Sequence, residues 1–193
     1  MKTPMSLSGK TVLVTGASAG IGRATAVLLS GLGATVVISG RKRDALSGTL
    51  SAMSGSGHHL ETFDLERTGE LADWMKSLVS RCGPLGGIAH CAGVQALRPL
   101  KLTNPALFDE MLRVNVTSSM MLARTYSGKG MNDSGGAVVF VSSVMGAVGS
   151  AGRSAYCASK SALQGLARAL SMEIASDGIR VNCVAPGFFR TAS

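Results

Sequence analysis

Short runs of β-branched and apolar residues alternate with longer amphipathic stretches along almost the whole chain. The short runs predict six strands, and the longer stretches predict five helices between them. The predicted strands are residues 11–15, 35–39, 59–63, 87–91, 137–141 and 180–184, and the predicted helices are residues 21–32, 43–53, 69–81, 105–124 and 154–176. Asn104 and Pro105 fit the N-cap and the first turn of the fourth helix. We interpret the polar segment 128–136 as a surface loop.

Most of the predicted strands are apolar at nearly every position, as in residues 35–39, which read TVVIS. Such strands are typical of a parallel sheet that is covered by helices on both faces. Alternation of strands and helices also implies right-handed crossover connections. The sequence therefore predicts an α/β fold with a doubly wound parallel sheet, a Rossmann fold, in a single domain over residues 1–193.

The composition favours a compact globular protein, because 46% of the 193 residues are hydrophobic and 16% are charged. A net charge of +8 makes nucleic acid a candidate partner, and that hypothesis predicts salt-sensitive association with DNA. However, the only basic run is residues 41–43, and aromatic residues, at 4%, offer few stacking platforms for single strands. We therefore expect no nucleic-acid partner and attribute the charge to binding of a polyanionic small molecule.

The cysteines and the N-terminus bear on the compartment. Cys82, Cys91, Cys157 and Cys183 have neither the spacing of a metal site nor that of a disulfide framework, so we expect reduced, mostly buried thiols and no metal. Residues 1–10 lack an apolar segment of the secretory type, and no later run is long enough to span a bilayer. We expect a cytoplasmic protein without a membrane partner.

A glycine-rich turn, TGASAGIGR at residues 15–23, follows the first predicted strand directly. Gly16, Gly20 and Gly22 lie where the strand must turn into a helix. Bare backbone there lets N–H groups approach a pyrophosphate, and the helix N-terminus favours its negative charge. The spacing G-x-x-x-G-x-G differs from the commoner G-x-G-x-x-G, and the Lys-Ser/Thr ending of a nucleoside triphosphate loop is absent. The alternative is an ordinary glycine-rich turn.

The second predicted strand is followed by residues that discriminate between nicotinamide cofactors. An acidic residue at this position would bind a ribose 2′-hydroxyl, but Gly40 is followed here by Arg41. A guanidinium suits a 2′-phosphate, so we expect NADP(H) to be preferred over NAD(H). A solvated basic turn is the alternative. Asp64, which closes the third strand, is a candidate for the adenine amino group or, alternatively, a helix N-cap.

Tyr156 and Lys160 lie four positions apart on the last predicted helix and therefore share a face. A free tyrosine titrates near ~10, and a neighbouring ammonium favours the phenolate, which makes the phenol a more effective acid-base catalyst. Ser143, at the end of the fifth strand, is thirteen residues before Tyr156 and could hold the same substrate oxygen. In isolation, a surface tyrosine beside a solvated lysine would be the simpler interpretation.

These motifs together resemble the short-chain dehydrogenase/reductase family, in particular its 3-oxoacyl thioester reductases. TGASAGIG is similar to the family's cofactor turn, Tyr156-Cys-Ala-Ser-Lys160 to its catalytic motif, and Ser143 to its partner serine. Asn115 matches a helix asparagine that helps to organise a proton relay through water and the lysine. Pro186-Gly187 with Thr191 matches a segment that contacts the nicotinamide carboxamide. The resemblance implies catalytic roles for Asn115, Ser143, Tyr156 and Lys160, and cofactor contacts for Gly16, Ser18, Ala19, Gly20, Ile21, Gly22, Arg41, Asp64, Leu65, Ala92, Gly93, Tyr156, Lys160, Pro186, Gly187 and Thr191.

By this resemblance, the protein is an NADP(H)-dependent oxidoreductase. It transfers a hydride between the nicotinamide and a carbonyl or alcohol carbon of a small-molecule substrate, such as a ketone or a 3-oxoacyl thioester. The resemblance also implies a homodimer or homotetramer, because the helices that match residues 105–124 and 154–176 commonly pack between subunits. The loops 95–100 and 145–153 are expected to influence specificity. Within them, Arg98 and Arg153 are either contacts for an anionic substrate or surface charges.

The sequence departs from the family pattern in two places. The family's Asn-Asn-Ala-Gly after the fourth strand is replaced by His90-Cys91-Ala92-Gly93, and we interpret His90 as a structural residue whose hydrogen bonds are satisfied. The chain stops shortly after Thr191, where the family continues through a substrate-covering helical segment and a last strand. We therefore expect those segments to be missing. The alternative function is a catalytically impaired NADP(H)-binding module that acts as a sensor or scaffold.

Overall fold

The computed structural model describes residues 5–188, in which six strands form one parallel sheet. The strands are β1 (Thr11–Thr15), β2 (Thr35–Gly40), β3 (His59–Thr62), β4 (Leu85–His90), β5 (Asn132–Val141) and β6 (Ile179–Val184). Their order across the sheet is β3-β2-β1-β4-β5-β6, and every neighbouring pair is parallel. The predicted doubly wound α/β fold is confirmed.

Helices cover both faces of this sheet. They are α1 (Gly20–Gly31), α2 (Arg43–Leu50), α3 (Leu71–Cys82), α4 (Pro105–Leu112), α5 (Ser118–Tyr126), α6 (Met145–Val148) and α7 (Ser154–Glu173). Short 3-10 turns lie at Leu100–Leu102 and Ala175–Asp177, and one π-helical turn lies at Arg113–Thr117. As predicted, Asn104 caps α4: its side-chain Oδ1 accepts a hydrogen bond from the Leu107 N–H, with Pro105 in the first turn. Among residues 5–188, no helix is long and apolar enough to cross a membrane.

The core divides into two layers because successive strand residues point to opposite faces of the sheet. On one face, Leu13 belongs to a buried cluster with apolar residues of α3, α5 and α7. On the other face, the neighbouring Val14 packs with Ala26 of α1 and Leu46 of α2. The chain leaves β1 toward β2 on one side and returns through β4 on the other. Ligands of open α/β sheets bind at such a switch point, outside the carboxyl ends of the strands.

Two predicted elements differ from the structure. β5 begins at Asn132, so the segment 128–136 is not entirely loop; Asn132 pairs with Leu85, and the register shifts before the pairing of Gly87 with Ala137. The predicted helix 105–124 is interrupted by the π turn between α4 and α5. The other predicted strands and helices agree with the structure apart from their ends.

Helix α6, which was not predicted, packs closely against α7. Ser161 of α7 donates its hydroxyl to the Gly146 carbonyl. A Cβ built on Gly146 would lie 2.8 Å from the backbone carbon of Lys160 and 2.8 Å from the nitrogen of Ser161. A side chain at this position would therefore push α6 away from the backbone of α7.

We expect Gly146→Ala to lower the free energy of unfolding by about 1–3 kcal/mol, because the methyl group meets backbone that is unable to move aside easily. Gly165→Ala in α7 is the matched control. Its Cβ would meet only a guanidinium nitrogen at 3.9 Å, so the substitution should be neutral or stabilise the helix by up to about 1 kcal/mol. Urea unfolding measures both; equal effects would contradict the close contact between α6 and α7.

Candidate active site

The turn between β1 and α1 is built on the close approach of backbone to backbone. Gly16 and Gly20 have φ of 66° and 54°, in the left-handed region that favours glycine. A Cβ on Gly16 would lie 2.7 Å from the backbone of Ala92, and one on Gly22 would lie 2.2 Å from the Gly16 carbonyl oxygen. Side chains larger than hydrogen therefore do not fit at Gly16 and Gly22. The first N–H groups of α1 receive no side-chain cap from Ala19.

A first cleft of about 200 Å³ opens beside this turn, at the carboxyl ends of the strands. Its lining comes from the glycine turn, the ends of β2 and β3, the segment after β4, and α4 with the π turn. The lining residues are Gly16, Ser18, Ser39, Gly40, Arg41, Phe63, Asp64, Leu65, Glu66, Cys91, Ala92, Gly93, Val94, Glu110 and Val114. Asp64 Oδ1 accepts a hydrogen bond from the Glu66 N–H at 3.1 Å, and α3 begins only at Leu71. The helix N-cap alternative for Asp64 is therefore wrong.

A second cleft of about 410 Å³ adjoins the first and shares Cys91, Gly93 and Val94 with it. It lies between the N-terminal end of α7, the end of β5 and the segments that follow β4 and β6. Its lining residues are Ile21, Cys91, Gly93, Val94, Gln95, Val141, Ser142, Ser143, Val144, Met145, Arg153, Tyr156, Lys160, Pro186, Gly187 and Phe188. The two clefts meet at these shared residues, and we call them together the groove.

Lys160 is buried, with 5% of its surface exposed, and both its side chain and its backbone bond to the end of β5. Its Nζ donates to the Val141 carbonyl at 2.7 Å, and its own carbonyl accepts from the Ser142 hydroxyl at 2.6 Å. The ammonium lies 5.8 Å from the centre of the Tyr156 ring. Burial lowers the pKa of Lys160 to about 8, because removing water penalises the charged form.

Tyr156 and Ser143 face the second cleft together with Lys160. Ser143 follows β5, and its Oγ accepts a hydrogen bond from the Met145 N–H at 3.2 Å, which leaves the hydroxyl proton available to a ligand. Tyr156 is half-buried in the first turn of α7. The two hydroxyl groups and the ammonium therefore line one cavity, as the sequence predicts.

Asn115 is fully buried in the π turn and lines neither cleft. Its Oδ1 accepts from the Val94 N–H at 2.8 Å, and its Nδ2 donates to the Val94 carbonyl at 3.0 Å and to the Ser159 hydroxyl at 2.9 Å. A Cβ on Gly93 would lie 3.1 Å from Asn115 Oδ1 and 3.2 Å from Lys160 Nζ. The asparagine thus joins the segment after β4 to α7 and lies close to the ammonium. A π turn often marks a functional position in a helix.

His90 is buried at the end of β4 and has hydrogen-bond partners on both sides of its ring. Nδ1 is 2.7 Å from the Thr15 hydroxyl, whose oxygen also accepts the Ala92 N–H, and Nε2 is 3.4 Å from the Ser118 hydroxyl. Burial, together with the charge of Lys160, lowers the pKa of His90 to about 3, so the ring is neutral at physiological pH. The interpretation of His90 as a structural residue agrees with this network.

The structure brings most of the predicted site residues to one groove. Of the predicted cofactor contacts, Ala19, Gly20 and Gly22 shape the turn but line neither cleft, and Ile21 lines the second. Thr191 lies outside the residues that the structure describes. The four cysteines are half-buried free thiols, more exposed than expected.

Three groups at the site were not predicted. Ser142 bonds the carbonyl of Lys160, and Ser159 bonds Asn115; neither serine carries a sequence signal, because small polar residues are common in helices and at strand ends. Cys91 lines both clefts, and burial raises the pKa of its thiol to about 11, so it stays protonated.

Comparison with known proteins identifies the family of this chain. Residues 10–193 match the model of the short chain dehydrogenase family. The chain is 35% identical to the 3-oxoacyl-(acyl-carrier-protein) reductase FabG of Rickettsia prowazekii, over 96% of this chain and 75% of that protein. It is 34% identical to carbonyl reductase family member 4 of Danio rerio, over 93% of this chain and 75% of that protein.

Solved structures of short chain dehydrogenases superpose closely on this chain. A short chain dehydrogenase from Shigella flexneri superposes with a TM-score of 0.89 at 31% identity, covering 100% of this chain and 77% of that one. A second Shigella flexneri structure, in complex with NADP, has a TM-score of 0.89 at 32% identity and covers 98% of this chain and 82% of that one. The chain belongs to the short-chain dehydrogenase/reductase family of oxidoreductases.

Proposed function

We propose that the protein is an NADP(H)-dependent reductase that converts a ketone or a 3-oxoacyl carbonyl into an alcohol, with Tyr156 as the proton donor. The observation that carries the proposal is that the two clefts of the groove meet at shared residues. Ser143, Tyr156 and Lys160 line one cleft, and that cleft shares Cys91 and Gly93 with the cleft beside the glycine turn. A dinucleotide along the groove would have its nicotinamide end beside the phenol.

The glycine turn fits a dinucleotide because its backbone lies open beside the first cleft. Glycine hydrogens at positions 16 and 22 permit the tight turn, and the uncapped start of α1 offers N–H groups and a positive dipole end to a pyrophosphate. Arg41 lines the same cleft directly after β2, where the ribose nearest the adenine binds in such folds. Its guanidinium is suited to a 2′-phosphate.

The residues of the second cleft have separate roles in the acid-base chemistry. A nicotinamide bound in the groove would supply the hydride for the carbonyl carbon. Ser143 donates its hydroxyl proton in a hydrogen bond to the carbonyl oxygen, and Tyr156 transfers its phenolic proton to that oxygen, which completes the alcohol. The charge of Lys160 stabilises the phenolate that is left, and Asn115 holds the segment after β4 beside that charge.

Two further observations support this function over simple cofactor binding. The relatives include a 3-oxoacyl-(acyl-carrier-protein) reductase and a carbonyl reductase. A structural neighbour in complex with NADP supports the choice of cofactor. Two of the predicted catalytic residues also bond the elements around the second cleft: Lys160 bonds the Val141 carbonyl at the end of β5, and Asn115 in the π turn bonds Ser159 of α7. The homodimer or homotetramer and the cytoplasmic location stay predictions from the resemblance.

Tyr156→Phe should lower the turnover of carbonyl substrates by about 10²–10⁴-fold while NADPH binding is largely retained, because only the proton donor is removed. The measurement is NADPH absorbance with a panel of ketones and 3-oxoacyl thioesters. Tyr126→Phe is the matched control: this buried phenol donates to the Leu85 carbonyl and lies outside both clefts, so its loss should affect stability and not turnover. Unchanged turnover in Tyr156→Phe would remove the assigned role.

Arg41→Asp should shift the preference from NADPH toward NADH by roughly 10- to 100-fold in kcat/KM, because a carboxylate repels the 2′-phosphate and accepts from a 2′-hydroxyl. Arg43→Asp makes the same charge change two residues away, at an exposed position outside the cleft. If both variants changed the preference equally, a general charge effect would replace the specific contact.

The lowered pKa of Lys160 predicts a pH limit for the reduction. Its charged form is needed, so kcat/KM for NADPH should be highest below pH 8 and fall as the pH rises through the value of about 8 that burial produces in the free protein. Lys160→Arg stays protonated over this range and should lose that fall, although its activity is lower. A profile of the unmodified protein that stays flat to pH 10 would contradict the role of the ammonium.

A further inference from the structure

Arg153 lies in the second cleft with the catalytic side chains, in the loop immediately before α7. Its side chain is half-buried, and its Nη1 donates to the Gln95 Oε1 at 3.0 Å. The loops that carry these two residues are also joined by a hydrogen bond of 2.7 Å from the Arg98 N–H to the Gly152 carbonyl. The guanidinium is therefore held at one wall of the cleft by a neutral amide.

The charged residues known to line this cleft are all basic. Among residues 5–188, Arg153 and Lys160 are the charged residues that line it, and no Asp or Glu of this range does. The first cleft differs, because Arg41 is accompanied there by carboxylates, among them Asp64 and Glu66. Within residues 5–188, none of the ion pairs includes Arg153. A guanidinium has five N–H donors, so contact with one amide oxygen leaves donors for an anion in the cleft.

We propose that Arg153 binds the carboxylate of the substrate, so that the preferred substrate is an oxo acid. This inference rests on the proposed reductase function. Arg153 immediately precedes α7, whose first turn contains Tyr156, and both residues line the second cleft. A substrate that contacts both side chains therefore carries a carboxylate as well as its carbonyl group. Gln95 orients the guanidinium for a paired contact with the two carboxylate oxygens.

The phosphate groups of the cofactor do not account for this arginine. The glycine turn and Arg41 line the first cleft, and Arg153 does not. Ser143 and Tyr156, which hold the substrate oxygen in the proposed function, share the second cleft with Arg153. The guanidinium is therefore on the substrate side of the groove.

The test compares acetoacetate with methyl acetoacetate, which has the same ketone but no charge. Calorimetry measures the binding of each compound to the protein with NADP⁺, so that no hydride is transferred, and NADPH absorbance measures turnover. The unmodified protein should prefer the acid. Arg153→Gln should weaken binding and kcat/KM for the acid by about tenfold or more and leave the ester nearly unchanged, because only the acid loses a charge-assisted hydrogen bond.

Arg98→Gln is the matched control, since Arg98 is exposed and does not line the cleft. It removes the same charge nearby and should keep the preference for the acid. Equal affinity of the unmodified protein for acid and ester would overturn the inference, as would an acid preference that survives in Arg153→Gln or disappears equally in Arg98→Gln. An acid preference in binding without any oxidation of NADPH would support Arg153 and overturn the reductase proposal, so the two failures are distinguishable.

Discussion

The geometry of the site depends on the hydrogen bonds of the buried Lys160. A charge that has lost its water needs polar partners, and the Val141 carbonyl at the end of β5 supplies one at 2.7 Å. The neighbouring Ser142 hydroxyl bonds the backbone carbonyl of the same lysine. Because β5 is fixed between β4 and β6, these two bonds fix the rotation of α7 about its axis. Tyr156, one turn earlier, must then face the cleft.

The sheet can be predicted from the sequence because hydrophobic periodicity and composition are properties of each segment by itself. Continuous apolar strands such as residues 35–39 have no other stable place than the interior of a covered sheet, and five helical patterns provide the crossovers. The same local signals fail where tertiary contacts decide. The N-terminal part of β5 reads as a polar loop, yet Asn132 bonds the Tyr126 carbonyl and the Gly135 N–H and brings the segment into the sheet beside Leu85. The π turn likewise lies in an uninterrupted helical pattern.

The site residues likewise divide into those that local sequence signals predict and those that only the folded chain shows. Gly16, Ser143, Tyr156 and Lys160 are predictable because each lies at a fixed distance from the end of a strand or helix, and parallel strands bring their carboxyl ends to one edge. The contact of Arg153 with Gln95 is not predictable in this way. The two residues are 58 positions apart in loops without periodicity, so only the folded chain shows that the arginine faces the cleft.

His90 shows how this chain holds the segment beside the first cleft without the asparagine of the family pattern. Ser118 donates its hydroxyl proton to the Val114 carbonyl in the π turn, so its oxygen accepts from the N–H of His90 Nε2. In a neutral ring Nδ1 then has no proton and accepts the Thr15 hydroxyl, whose oxygen also accepts the Ala92 N–H. This chain of bonds requires a neutral imidazole, because Nδ1 must accept. Burial, which lowers the pKa of His90 to about 3, therefore preserves the network that connects the segment after β4 to the π turn, which also contains Asn115.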